Sequence, residues 1–124
     1  MIKIGILGSS GRVGSLLIDD LKNDTEAKVS CVHVFDKIEK VLPPDTVVTN
    51  DINVLFEQSD VIIDFSSPVA TEELLTAVVE GGKRKPLVIA TTGLSKHQQN
   101  LLLEASKLVP ILYATNMSLG VAVL

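Results

Sequence analysis

Seven residues near the start of the chain, Gly8-Ser9-Ser10-Gly11-Arg12-Val13-Gly14, constrain its fold more than any other stretch. An apolar run from Ile2 to Leu7 precedes them, and an apolar-periodic stretch from Val13 to Leu21 follows. A strand must therefore turn abruptly into a helix. Each glycine omits a Cβ that would obstruct the turn, the strand–helix contact, or a ligand approaching backbone N–H groups at the helix N-terminus. The G-x-x-G-x-x-G spacing also occurs in ordinary glycine-rich turns. Its place between a first strand and a helix is what points to a dinucleotide pyrophosphate.

A dinucleotide-binding βαβ unit carries a second signal, an acidic residue about 20 positions further on that ends the next strand. Val29 to Phe35 reads as that strand, being rich in β-branched and aromatic residues, and Asp36 closes it 22 residues past Gly14. Asp36 is placed to accept hydrogen bonds from ribose hydroxyls, which favours NAD. The adjacent Lys37 offers a charge for the 2′-phosphate of NADP. Together they predict tolerance of NADH and NADPH.

Further along, short apolar runs alternate with helical stretches, the pattern of βαβ units and a parallel sheet. Val47 to Thr49 is a candidate third strand, with Asp51 as N-cap of a short helix from Ile52 to Gln58. Val61 to Phe65 reads as a fourth strand buried on both faces. Ser67-Pro68 starts a helix that stops at Gly81, because a capping hydroxyl precedes a proline whose φ suits the first turn. Leu87 to Ala90 is a fifth strand. Ser95 and Gln98 have capping-box spacing for a helix reaching about Leu108, and Pro110 to Tyr113 is a sixth strand. The expected fold is a single α/β domain over residues 1–124, a Rossmann-type doubly wound parallel sheet.

Bulk properties exclude several function classes. The net charge is −4, and Lys83-Arg84-Lys85, between Gly82 and Pro86, fits a solvated loop. With one Tyr, three Phe and no Trp, the chain offers little stacking surface for nucleic acid. No apolar run approaches the ~18 residues of a membrane span, and the opening strand leaves no room for a signal peptide. The single Cys31, mid-strand, reads as a buried small hydrophobe, and the expected compartment is the cytoplasm. His33 reads as a packed core histidine and His97 as a solvated first-turn residue; two histidines and one cysteine far apart predict no metal site. Asp64 reads as a strand terminator that caps the next turn, without chemistry of its own.

Ligands of a doubly wound sheet bind beyond the carboxyl ends of its strands. Those ends are Gly8 to Gly14, Asp36-Lys37, Ser66-Ser67, Thr91-Thr92-Gly93 and Thr115-Asn116-Met117-Ser118. All are small, polar or glycine-containing, unlike the strands that precede them.

Four of these segments resemble motifs of the dihydrodipicolinate (4-hydroxy-tetrahydrodipicolinate) reductase family. They are Gly8-Ser-Ser-Gly-Arg-Val-Gly14, Asp64-Phe-Ser-Ser-Pro-Val-Ala-Thr71, Ala90-Thr-Thr-Gly93 and Asn116-Met-Ser-Leu-Gly-Val121, in matching order and spacing across the chain. The resemblance implies an NAD(P)H-binding domain of an oxidoreductase of diaminopimelate and lysine biosynthesis. It places Gly8, Ser9, Ser10, Gly11, Arg12, Val13 and Gly14 on the pyrophosphate, with Arg12 turned to a phosphate. Ser66 joins the cofactor site. Ala90, Thr91, Thr92 and Gly93, with Thr115, Asn116, Met117 and Ser118, face the nicotinamide ribose and carboxamide. Two departures stand out: Ala90 replaces the first glycine of a G-T-T-G turn, and Met117 stands where an aromatic residue is common.

The family's His-rich motif and its Asp-Ala-Pro-Ser-Gly-Thr stretch do not occur in these residues, so no catalytic residue is expected in this chain. The expectation is a fragment lacking the substrate and tetramerisation domain, which binds NADH or NADPH without turnover, while the full-length family is homo-oligomeric. Two alternatives stay open. One is the cofactor domain of a semialdehyde or acyl-phosphate reductase. The other is a non-enzymatic NAD(P) sensor.

Overall fold

The computed structural model describes residues 2–8, 26–33 and 46–113. Six strands are present: β1 (Ile2–Leu7), β2 (Ala27–His33), β3 (Val47–Thr49), β4 (Val61–Asp64), β5 (Leu87–Ile89) and β6 (Ile111–Tyr113). They form one sheet in the order β3-β2-β1-β4-β5-β6, with every neighbouring pair parallel. The order runs outward in both directions from β1 and β4, so the doubly wound topology has its switch point between these two strands. The strands expected from sequence are all found, with ends displaced by one or two residues. β2 begins at Ala27 rather than Val29, and Val34 and Phe35 lie outside the described residues.

Three helices are described: α1 (Ile52–Glu57), α2 (Pro68–Val79) and α3 (Lys96–Ser106). Each starts where its capping residue requires. The Asp51 side chain accepts from Asn53 N–H at 2.9 Å. Ser67, in extended conformation ahead of Pro68, accepts from Ala70 N–H at 3.3 Å. At α3 the capping box is complete, with Ser95 Oγ accepting from Gln98 N–H at 3.2 Å and Gln98 Oε1 accepting from Ser95 N–H at 2.8 Å. α3 ends at Ser106, two residues short of Leu108, where Leu108 and Val109 N–H both turn to the Ala105 carbonyl.

The core follows from helical and strand periodicity. α2 turns Ala70, Thr71, Leu74, Leu75 and Val78 inward, against Leu7, Cys31, Ile62, Leu87 and Ile89 of the sheet. Ile4, Ile6, Val29 and Val32 form a separate buried cluster, Val29 pairing with Ile4 and Val32 with Ile6 because the β1–β2 register shifts between Ile4 and Gly5. Each such buried aliphatic side chain contributes about 1.5–3 kcal/mol by leaving water. β4 is less continuously apolar in its setting than its sequence suggests. Ile62 and Asp64 are buried, whereas Val61 and Ile63 are partly exposed.

Cys31 and His33 are both buried, as is Val32 between them, and His97 is exposed. Arg84 donates from Nη1 to the carbonyls of Val78 at 2.7 Å and Lys83 at 2.9 Å, so the basic loop caps the end of α2. Among the described residues, no helix is long and apolar enough to cross a membrane, and no group of His, Cys, Asp or Glu side chains could hold a metal ion.

Candidate functional site

The switch point brings the carboxyl ends of β1 and β4 side by side. Phe65 N–H donates to the Leu7 carbonyl at 3.0 Å, carrying the ladder one residue past β4. Gly8 follows with φ +89°, a left-handed conformation that L side chains rarely adopt. A Cβ there would lie 2.9 Å from the backbone C and O of Phe65 and from Ser66 Cα. Only a residue without a side chain lets these two strand ends approach so closely.

On the other side of β4, Ala90 N–H donates to the Asp64 carbonyl at 2.9 Å. Ala90 therefore continues the β4–β5 ladder, and the turn proper begins after it. Thr91 is buried, while Thr92 and Gly93 are exposed. Gly93 has φ +79°, and a Cβ built on it would meet nothing within 4 Å. Its conformation demands glycine, yet the space beside it is open. Gly8, Ser66, Thr92 and Gly93 thus form a continuous rim across β1, β4 and β5.

Asp64 lies beneath this rim, fully buried. Its Oδ1 accepts from Ser66 N–H at 2.8 Å and from Ser66 Oγ, and its Oδ2 accepts from Thr71 Oγ1 at 2.5 Å. Thr91 Oγ1 completes the group, 3.1 Å from Asp64 Oδ1 and 2.8 Å from Thr71 Oγ1. An ionised carboxylate is acceptor-only, and every neighbour here brings a proton to it. Burial pushes the Asp64 carboxyl above the usual carboxylate range, and the donors of Ser66, Thr71 and Thr91 pull it back. The cap on the next turn is the role its position in sequence suggests. The links to Thr71 and Thr91 are additional.

The helix starts are tied to one another as well. Gln98 Nε2, at the start of α3, donates to the Pro68 carbonyl and to Glu72 Oε1, each at 3.2 Å, so α2 and α3 begin at the same edge. A separate groove of about 570 Å³ lies along α1 and α2, lined by Ile52, Val69, Glu72, Glu73, Thr76 and Glu80 among others. Its three glutamates oppose an anionic ligand. Among the described residues, the rim positions Gly8, Ser66, Thr92 and Gly93 carry no charged side chain.

Of the residues singled out from sequence, Gly8, Ser66, Ala90, Thr91, Thr92 and Gly93 are described, and the fold brings them to one edge. Ser9, Ser10, Gly11, Arg12, Val13, Gly14, Asp36, Lys37, Thr115, Asn116, Met117 and Ser118 lie outside the described residues. Sequence reasoning did not find the Asp64–Thr71–Thr91 group. The only available signal was a carboxylate followed by hydroxyls at Ser66 and Thr71, which is common in capped turns.

Comparison with known proteins follows the same line. The family described as dihydrodipicolinate reductase, N-terminus, matches residues 2–117. A 4-hydroxy-tetrahydrodipicolinate reductase from Aliarcobacter butzleri is 77% identical over 124 residues, covering 100% of this chain and 48% of that protein. One from a Nitratiruptor species is 56% identical over the same 124 residues, with the same 100% and 48% coverage. The chain spans about half the length of these curated relatives. Among solved structures, a dipicolinate-bound dihydrodipicolinate reductase from a Paenisporosarcina species superimposes with a TM-score of 0.74 at 20% identity, covering 94% of this chain and 48% of that one. At that identity the likeness is one of fold.

Proposed function

The chain belongs to the dihydrodipicolinate reductase family through that family's N-terminal part, and on this premise we propose that it is the NAD(P)H-binding portion of such a reductase. The observation that carries the reading is the close seating of Gly8 against Phe65 and Ser66 at the β1–β4 switch point. Doubly wound sheets bind ligands in the crevice at that place, and a backbone free of side chains suits a pyrophosphate. The residues present fit a dinucleotide: Gly8 and Gly93 have conformations open to glycine, and Ser66 and Thr92 add hydroxyls along the same edge.

When bound, the nicotinamide supplies a hydride, and the protein supplies binding, orientation and electrostatics. In the proposed division of labour, Gly8 to Gly14 hold the pyrophosphate through backbone N–H groups, with Arg12 at a phosphate. Asp36 and Lys37 meet the adenine ribose. Thr92 and Gly93, with Thr115 to Ser118, orient the nicotinamide half. Thr91 acts from below, because its hydroxyl is engaged with Asp64 and Thr71.

The proposed whole reaction converts 4-hydroxy-tetrahydrodipicolinate to tetrahydrodipicolinate. The substrate loses water and gains a hydride and a proton, while NADH or NADPH is oxidised. We assign the proton donor and the substrate-holding groups to a further domain, in a cytoplasmic homo-oligomer. The high identity to named 4-hydroxy-tetrahydrodipicolinate reductases favours this reading over a semialdehyde reductase or a nucleotide sensor. The purified 124-residue chain is expected to leave NADPH unoxidised in the presence of substrate. Sustained oxidation would overturn the assignment of catalysis to a further domain.

A further inference from the structure

Asp64 presents an energetic puzzle that its role as a cap does not resolve. It is fully buried at the end of β4, packed into a sheet whose neighbouring inward positions are aliphatic. Taking a carboxylate out of water costs several kcal/mol, which the surrounding hydrogen bonds only offset. A well-packed apolar side chain would serve stability at least as well. A capped turn needs only the Ser66 N–H contact, yet Asp64 also receives hydroxyl protons from two further segments.

The geometry shows what those extra contacts join. Ser66 belongs to the turn leaving β4, Thr71 to the first turns of α2, and Thr91 to the loop leaving β5. Each hydroxyl has a single proton. With Thr71 donating to Asp64 Oδ2, the lone Thr91 proton is shared between Asp64 Oδ1 at 3.1 Å and Thr71 Oγ1 at 2.8 Å. The carboxylate is thus the common acceptor that draws hydroxyls from three segments together. Immediately outward of these anchors lie the exposed Thr92 and Gly93 and the Ser66 backbone against which Gly8 rests.

We infer that Asp64, Thr71 and Thr91 are positioning residues for the nucleotide site, holding the β1, β4 and β5 loop ends in the one arrangement that binding requires. This rests on the nucleotide-binding reading given above. None of the three need touch the nucleotide. Misplacing a preorganised rim by a fraction of an ångström weakens binding even when the fold survives.

The test compares Thr71→Val, which removes the hydroxyl at nearly constant volume, with Thr71→Ser, which restores it. Thr91→Val provides an independent break in the same group. Val78→Ala, a core truncation in α2 away from the rim, serves as the stability control. Dissociation constants for NADH and NADPH are measured by calorimetry where each variant is folded, alongside urea midpoints. Thr71→Val and Thr91→Val are expected to weaken binding about tenfold, and Thr71→Ser to stay within about threefold of the parent. Val78→Ala is expected to lower the urea midpoint and leave affinity unchanged. Parent-like affinity in both valine variants overturns the inference alone, as does an equal loss in Val78→Ala. A parent chain that binds neither nucleotide overturns the nucleotide-binding reading, and the inference with it.

Discussion

Gly8 and Phe65 meet backbone to backbone: a Cβ on Gly8 would lie 2.9 Å from both the carbonyl carbon and the carbonyl oxygen of Phe65. Backbone atoms cannot swing aside as a flexible side chain can. The contact ties the first glycine of the sequence motif to the segment after β4, where the sheet order reverses.

Gly8→Ala is accordingly expected to destabilise the chain by about 2–4 kcal/mol, combining a left-handed φ with backbone overpacking. Urea denaturation measures this, and a midpoint equal to the parent's would show that β1 and β4 do not approach as described.

Gly93→Ala separates conformation from contact. Its φ of +79° strains any L residue, but nothing lies within 4 Å of the added methyl. A loss of about 1 kcal/mol is expected, smaller than at Gly8. The same methyl stands on the open rim, so nucleotide affinity should fall by more than the stability change accounts for. Calorimetric titration of the variant provides the comparison.

Two aspartates should respond to acid with opposite signs. Burial raises the Asp64 pKa, so the folded chain takes up this proton at a higher pH than the unfolded chain does. Its charge-burial penalty is fully present above the raised value and is relieved as pH falls towards the ordinary carboxylate value. The exposed Asp60 is lowered, chiefly by the Lys3 N–H at 2.8 Å, so its stabilising contribution is lost as pH falls through the lowered value. In urea midpoints taken over about pH 3 to 6, the parent should gain on Asp64→Asn as pH falls and lose ground to Asp60→Asn. The same trend in both variants would refute the assignment.

Cys31 should be inert in the folded chain. Burial pushes its thiol up to about 11, leaving little thiolate at neutral pH, and its side chain is inaccessible. Reaction with a thiol reagent should therefore track global unfolding across a urea series. Rapid labelling without denaturant would place β2 differently.

Much of the fold was legible because its punctuation is chemical. Ser67-Pro68 and the Ser95–Gln98 pair mark helix starts through backbone donors that must be satisfied, and both caps stand where their residues require. Short apolar runs gave the strands, but strand ends depend on which neighbour supplies the last ladder hydrogen bond. That is why β2 extends back to Ala27, opposite Ile2. The candidate rim was legible as a set of small polar strand ends, since parallel strands place all their carboxyl ends on one edge.

The buried hub was not legible in the same way. Its existence depends on Thr71, one turn into α2, and Thr91, 27 residues past Asp64, converging on one carboxylate. Nothing in local spacing distinguishes such hydroxyls from those of ordinary helix starts and strand ends. The Gln98 link from α3 to the Pro68 carbonyl is similarly long-range, and the capping box accounts for only one of that side chain's three hydrogen bonds.

The most direct test is calorimetric titration of the purified chain with NADH and with NADPH. Saturable binding of both is expected at one site per chain, with dissociation constants within about a hundredfold of each other, a difference below about 2.7 kcal/mol. Absence of binding by either nucleotide would contradict that expectation.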